Sequence, residues 1–100
     1  MRFEFSAPLW VYQGPAAWYF VTVPPEVSED IRAVSDGLRR GFGSVRVSAT
    51  TGATTWQTSI FPDRTTGTYM LPVKKAVRQS AGLRVDQTFT VSLELVDLGG

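Results

Sequence analysis

Two stretches of this chain alternate apolar and polar residues so regularly that only a strand with one buried face accommodates them. In the first, Phe3, Phe5, Ala7, Leu9 and Val11 interleave with Arg2, Glu4, Ser6 and Pro8. In the second, Phe89, Val91, Leu93 and Leu95 interleave with Thr88, Thr90, Ser92 and Glu94. Successive side chains of a strand point to opposite faces, so each stretch gathers its apolar residues on one side. A helix would scatter the same residues around its circumference. The chain therefore needs a β-architecture that closes over an apolar interior.

The rest of the chain supplies the other walls. Pro8 has no N–H for a ladder, which predicts an edge strand or a bulge at that point. Gln13-Gly14-Pro15 turns the chain into a second strand over 18–23, so residues 1–23 read as an antiparallel hairpin. Pro24-Pro25 ends the strand, and Pro25 suits the first turn of a helix. Val27, Ile31, Val34 and Leu38 then recur at helical spacing, a stripe whose burial is worth roughly 6–12 kcal/mol gross. Glu26, Glu29 and Asp30 at its start and Arg39-Arg40 beyond its end suit the helix dipole. Gly37 weakens the last turn, which sets the expected stop near Asp36. After a break at 41–43, residues 44–49 and 54–60 read as strands about a turn at Thr50-Thr51-Gly52. Phe61-Pro62-Asp63 ends the second of these, and 68–71 forms the next strand until Pro72 stops it. A short helix follows over 73–81, with Val73, Ala76 and Val77 on its apolar face, Gly82 as a left-handed cap and Leu83 folding back. Residues 88–96 are the last strand.

The order is β β α β β β α β, a mainly β chain that fits a six-stranded closed barrel with two short helices. Closure leaves no open sheet edge. Residues 1–98 make one domain, and 99–100 read as a frayed tail. The pattern strand, aliphatic-Pro, helix, strand occurs twice, at Val23-Pro24 and Leu71-Pro72, and reads as a weak internal duplication.

Composition narrows function mainly by exclusion. With 100 residues and 43% hydrophobic content the chain has one ordinary core. It has no cysteine and no histidine, which removes disulfides, thiolate and imidazole metal ligands and the commonest general base. The net charge of +1 provides no global field for nucleic acid or acidic lipid. The longest apolar run, residues 16–23, is far below the roughly 20 residues of a membrane span. The expected location is the cytoplasm, with no cofactor.

Three segments taken in order resemble a bacterial family of uncharacterised domains, domain of unknown function family 1905. They are Gly43-Ser44-Val45-Arg46-Val47, then Thr54-Thr55-Trp56-Gln57-Thr58-Ser59-Ile60-Phe61-Pro62, then Tyr69-Met70-Leu71-Pro72-Val73-Lys74-Lys75-Ala76-Val77-Arg78. Trp18-Tyr19-Phe20-Val21-Thr22-Val23-Pro24 fits the same pattern, so the resemblance covers nearly the whole chain. It implies a small β-barrel related to the double-split barrels, a group that includes DNA-binding regulators. It implies no activity. One departure stands before the last strand, where the family tends to have Gly-Asp and this chain has Val85-Asp86. A β-branched residue resists positive φ, so the turn there is expected to differ.

Four constellations carry chemistry. Lys74, Lys75 and Arg78 on the second helix suit a phosphate or carboxylate, joined by Arg46 and Arg64 if their strands lie near; the alternative is a solvated helix face. Trp56 suits stacking on a ring, with Thr58 or Ser59 donating hydrogen bonds; the alternative is a core tryptophan. Trp10, Tyr12, Trp18 and Tyr19 form either an exposed aromatic patch or cross-strand pairs that stabilise the hairpin. The carboxylates show no spacing that suggests a metal cage or a hydrolytic pair. The reading that results is a non-enzymatic module for a small anionic ligand or a protein partner, monomeric or homodimeric and not bound to a membrane. Its ligand-binding candidates are Arg46, Trp56, Thr58, Lys74, Lys75 and Arg78. The alternative is a nucleic-acid-binding regulator of the double-split-barrel type.

Overall fold

A computed structural model of the chain describes residues 1–36 and 43–96. Its elements are β1 (Arg2–Tyr12), β2 (Trp18–Thr22), α1 (Pro25–Val34), β3 (Val45–Thr51), β4 (Thr54–Asp63), β5 (Thr68–Pro72), α2 (Lys75–Ala81) and β6 (Thr88–Leu95). The six strands close in the order β1-β2-β5-β4-β3-β6, every neighbouring pair antiparallel. The order of elements and the closed barrel are those the sequence predicts. No helix among the described residues is long and apolar enough to cross a membrane.

The alternating positions meet inside. Phe5, Ala7 and Leu9 of β1 and Val91, Leu93 and Leu95 of β6 are buried together with Val21, Val47, Ile60, Leu71 and others in one core. Pro8 behaves differently from expectation, since β1 is neither an edge nor bulged there. β1 pairs with β6 from Arg2 to Pro8 and with β2 from Leu9 to Tyr12. Pro8 stands where the strand passes from one partner to the other, the point at which a missing donor costs least.

Helix α1 also departs from the expected stripe. Its buried residues are Ser28 and Ile31; Val27 is half-buried and Val34 is 38% exposed. The helix ends at Val34, two residues before Asp36 and so close to the expected stop, with the Ser35 N–H bonding the Ile31 carbonyl. Ser28 sits in the core because its hydroxyl is fully used: it donates to the Val23 carbonyl at 3.0 Å and accepts from the Tyr69 N–H at 3.0 Å. A hydroxyl so satisfied is buried at little cost. α2 starts at Lys75 and not at residue 73, so Val73 precedes the helix; Val73 and Val77 are buried as expected, whereas Ala76 is exposed. Gly82 takes the left-handed cap at φ 67°, and the Leu83 N–H bonds the Arg78 carbonyl at 2.9 Å. Before β6 the positive φ falls on Asp86 (71°), not on Val85, so the β-branched residue is spared. Leu38, Gly37, Arg39-Arg40, the start of the break at 41–43 and the tail at 99–100 lie outside the described residues.

The barrel repeats itself. Exchanging β1 with β4, β2 with β5 and β3 with β6 reproduces the same set of neighbours. Atomic detail agrees: the Val23 N–H bonds the Tyr69 carbonyl and the Val73 N–H bonds the Tyr19 carbonyl, each at 2.9 Å, and the two donors, like the two acceptors, are 50 positions apart. An approximate two-fold axis thus passes between β2 and β5 and, opposite, between β3 and β6. The pairs Trp10↔Phe20 and Phe61↔Met70 correspond. So do Phe5↔Val91 and Ala49↔Trp56, the larger Trp56 facing the smaller partner.

Candidate functional site

The connection from β5 into α2 creates the most chemically loaded surface. Pro72 ends β5 opposite Phe20, and Val73 drops into the core. The chain then rises into α2 with Lys74 and Lys75 exposed at its start. Arg78, one turn on, lies over the Tyr19 ring at 3.5 Å from the centroid, and its Nε donates to the Val73 carbonyl at 3.3 Å. A guanidinium on an aromatic face gains about 0.5–2 kcal/mol. Arg78 is therefore held in one orientation.

These side chains border a depression of about 310 Å³ between α2 and the segment 16–19, with Trp18 and Tyr19 as its aromatic wall and Pro72 and Val73 as its floor. Three cations ring it, and among the described residues none of the three has a carboxylate partner. Lys74 also borders a second, shallower depression of about 420 Å³ with Thr54, Thr55, Trp56, Gln57, Ala76 and Val77. Of the backbone amides of α2, the Val77 and Arg78 N–H groups are taken by the Lys74 carbonyl.

The structure thus brings Lys74, Lys75 and Arg78 together and places Trp56 beside Lys74. Trp56 is a core residue, 5% exposed, and its indole N–H has no hydrogen-bond partner. Thr58 is half-buried on the inward side of β4 with Trp56 and Ile60. Arg46 is exposed on β3 opposite Ser59 and lines neither depression. No group of three or more acidic residues that suits a metal ion occurs among the described residues.

Sequence reasoning treated Trp18 and Tyr19 as a separate constellation; the structure makes them the wall of the cationic depression. The signal was present in the repeated aliphatic-Pro step. Taken as a true duplication, it pairs β2 with β5 and sets Tyr19 beside Val73.

The fold and site define a closed six-stranded antiparallel barrel that carries a cationic, aromatic-walled depression at one helix. The chain belongs to the family described as Domain of unknown function (DUF1905), whose model matches residues 5–93. No curated protein matches the chain.

Proposed function

We propose that this barrel is a non-enzymatic binding module for a small ligand that carries a phosphate or carboxylate beside a flat apolar group. The observation that carries the reading is the trio Lys74, Lys75 and Arg78 around an aromatic wall with no carboxylate partner among the described residues. Unpaired cations on a shaped surface attract anions, and a pre-oriented guanidinium loses little entropy on binding one. Trp18 offers a face for a planar group. The chain has no histidine or cysteine with which to act as base or nucleophile. With the reading goes a cytoplasmic location, where phosphorylated and carboxylated metabolites abound.

The test is an NMR titration with pyrophosphate, phenyl phosphate and benzoate. Shifts should concentrate at residues 16–19 and 72–78. Arg78→Ala should weaken binding about tenfold, as expected for loss of one charged hydrogen bond. Silence of these amides at millimolar concentrations of all three probes would refute the reading. Nucleic acid is the second reading, favoured by the exposed Trp18 beside the cations. It requires tighter binding of an oligonucleotide than of phenyl phosphate, with a steep salt dependence.

A further inference from the structure

The polar side chains that line the second depression, between β4 and α2, mostly have protein partners. Thr54 shares a hydrogen bond with Ser80 of α2 at 3.0 Å, Thr55 shares one with Thr50 at 2.9 Å, and Gln57 donates to Ser48 at 3.1 Å. Two groups of the lining have no partner among the described residues, the Lys74 ammonium and the Trp56 indole N–H. Both are donors, and neither can accept. Lys74 is exposed, so water meets its needs. The Trp56 nitrogen is buried, and a buried donor left unpaired is a net cost to the fold.

Packing does not explain why a tryptophan stands there. The corresponding residue of the first half is Phe5, which is buried at the equivalent place in the barrel without any polar atom. An indole nitrogen where a phenyl ring would serve points to a group that accepts from it. We infer that the depression between β4 and α2 is a second anion subsite, in which the Trp56 indole N–H and the Lys74 ammonium together hold an oxygen group of the ligand. Resting on the proposed function, this assignment narrows its ligand. Lys74 borders both depressions, so one molecule is gripped on either side of it. Lys75 and Arg78 take one anionic group beside Trp18, and Lys74 with Trp56 takes the other. The ligand is therefore a dianion with two separate carboxylates or phosphates.

The chemistry of the two donors is complementary. The ammonium supplies charge at the rim, and the indole supplies a directed hydrogen bond where low polarity strengthens it. Burial of Trp56 rules out stacking on its ring and leaves the N–H as its means of contact. Access depends on α2, which packs on this part of β4, is seven residues long and ends at Gly82. Its side-chain hydrogen bond to β4 is the exposed hydroxyl pair of Thr54 and Ser80. Parting that pair costs little, since water replaces each partner. A small shift of α2 there brings a ligand oxygen to the indole nitrogen.

NMR titration with paired probes tests the inference: succinate against butyrate, adipate against hexanoate, suberate against octanoate, and pyrophosphate against phosphate. At least one double anion should bind about tenfold more tightly than its single counterpart, the gain from one hydrogen bond to a charged group. The same titration should move the Trp56 indole N–H resonance downfield. In Trp56→Phe most of that tenfold advantage should vanish while the unfolding free energy stays level or rises. Should the variant misfold, the indole resonance of the unaltered protein decides. A Trp56 resonance that stays still while the amides of residues 16–19 and 72–78 shift overturns the second subsite and leaves the proposed function standing. So does an advantage that survives in Trp56→Phe. Absence of binding by every probe overturns both.

Discussion

The two helix-bearing ends of the barrel are built on the same plan and finished differently. At the α1 end the tyrosine is Tyr69, 1% exposed; at the α2 end it is Tyr19, half-buried at the edge of a depression. Two positions account for the contrast. Where α2 carries Arg78, the equivalent residue of α1 is Ser28, small enough to sit beneath the helix and bond both Val23 and Tyr69. Arg78 makes the matching bond to Val73 from a longer arm and lies over the Tyr19 ring. Where α1 continues to Arg32, α2 has already ended at Gly82. Arg32 reaches back to the Gly67 carbonyl at 2.6 Å and lies 5.6 Å from the Tyr69 centroid, covering the ground that stays open beside Tyr19. One end is sealed and serves stability; the other is left open and cationic. Symmetric topology does not imply symmetric surfaces, because a single side chain at each of two positions separates the covered end from the open one.

Breaking the contrast at its tyrosines should produce the largest effect. Tyr69→Ala should cost about 3–5 kcal/mol, the range for removing a buried aromatic, and Tyr19→Ala less than half of that, both read from urea unfolding. Equal losses would mean that the open end is as tightly packed as the closed one. Next comes Ser28→Ala, which strands the Tyr69 N–H in the core and should cost about 1–3 kcal/mol. Arg78→Ala should cost about 1–2 kcal/mol, from the lost contact with the Tyr19 face, while weakening anion binding. Trp56→Phe sharpens the comparison in another way. It installs in the second half the residue type that Phe5 provides in the first and removes the unpartnered indole N–H. The unfolding free energy should stay level or rise, by about 1 kcal/mol at most.

The smallest effect belongs to neither end. The Met1 ammonium hydrogen-bonds the Glu94 carboxylate at 2.9 Å, and this bond holds the Glu94 carboxyl below its ordinary value, with the charge of Arg2 contributing less. A depressed carboxylate adds stability above its unfolded value and loses it as pH falls through the folded one. Glu94→Gln should therefore remove a slight contribution at neutral pH and flatten the decline in stability below the usual carboxylate range. A marked loss at pH 7 would show the pair to be structural.

What was legible in the sequence follows from how each element is stabilised. Strands such as 88–95 announce themselves because burial on one face imposes a period of two on every residue, whatever else surrounds them. Gly82 was legible because a left-handed cap is a local demand. Ser28 was not, since its burial depends on a carbonyl and an amide from two other segments. The stripe through Val34 misled for the same reason: tertiary contact turned α1 so that a serine, not that valine, faces inward. Pro8 was read by a rule for open sheets, which a closed barrel suspends at the hand-over between partners. At the site, the cluster Lys74, Lys75 and Arg78 was readable from helical spacing alone, whereas Arg46 needed knowledge of which strand neighbours β5. β4 intervenes, and no local pattern says so.

The exchange of neighbours across the two-fold axis has an architectural consequence. Residues 1–51 and 54–96 are joined through the short turn at Gly52 and Ala53. Yet β3 finds both its neighbours, β4 and β6, in the second segment, and β6 finds both of its own, β3 and β1, in the first. Neither segment can saturate its backbone alone, so each acts as the template on which the other orders. In folding terms the chain behaves as a tethered pair of protomers, where the hairpin sets the effective concentration at which they meet.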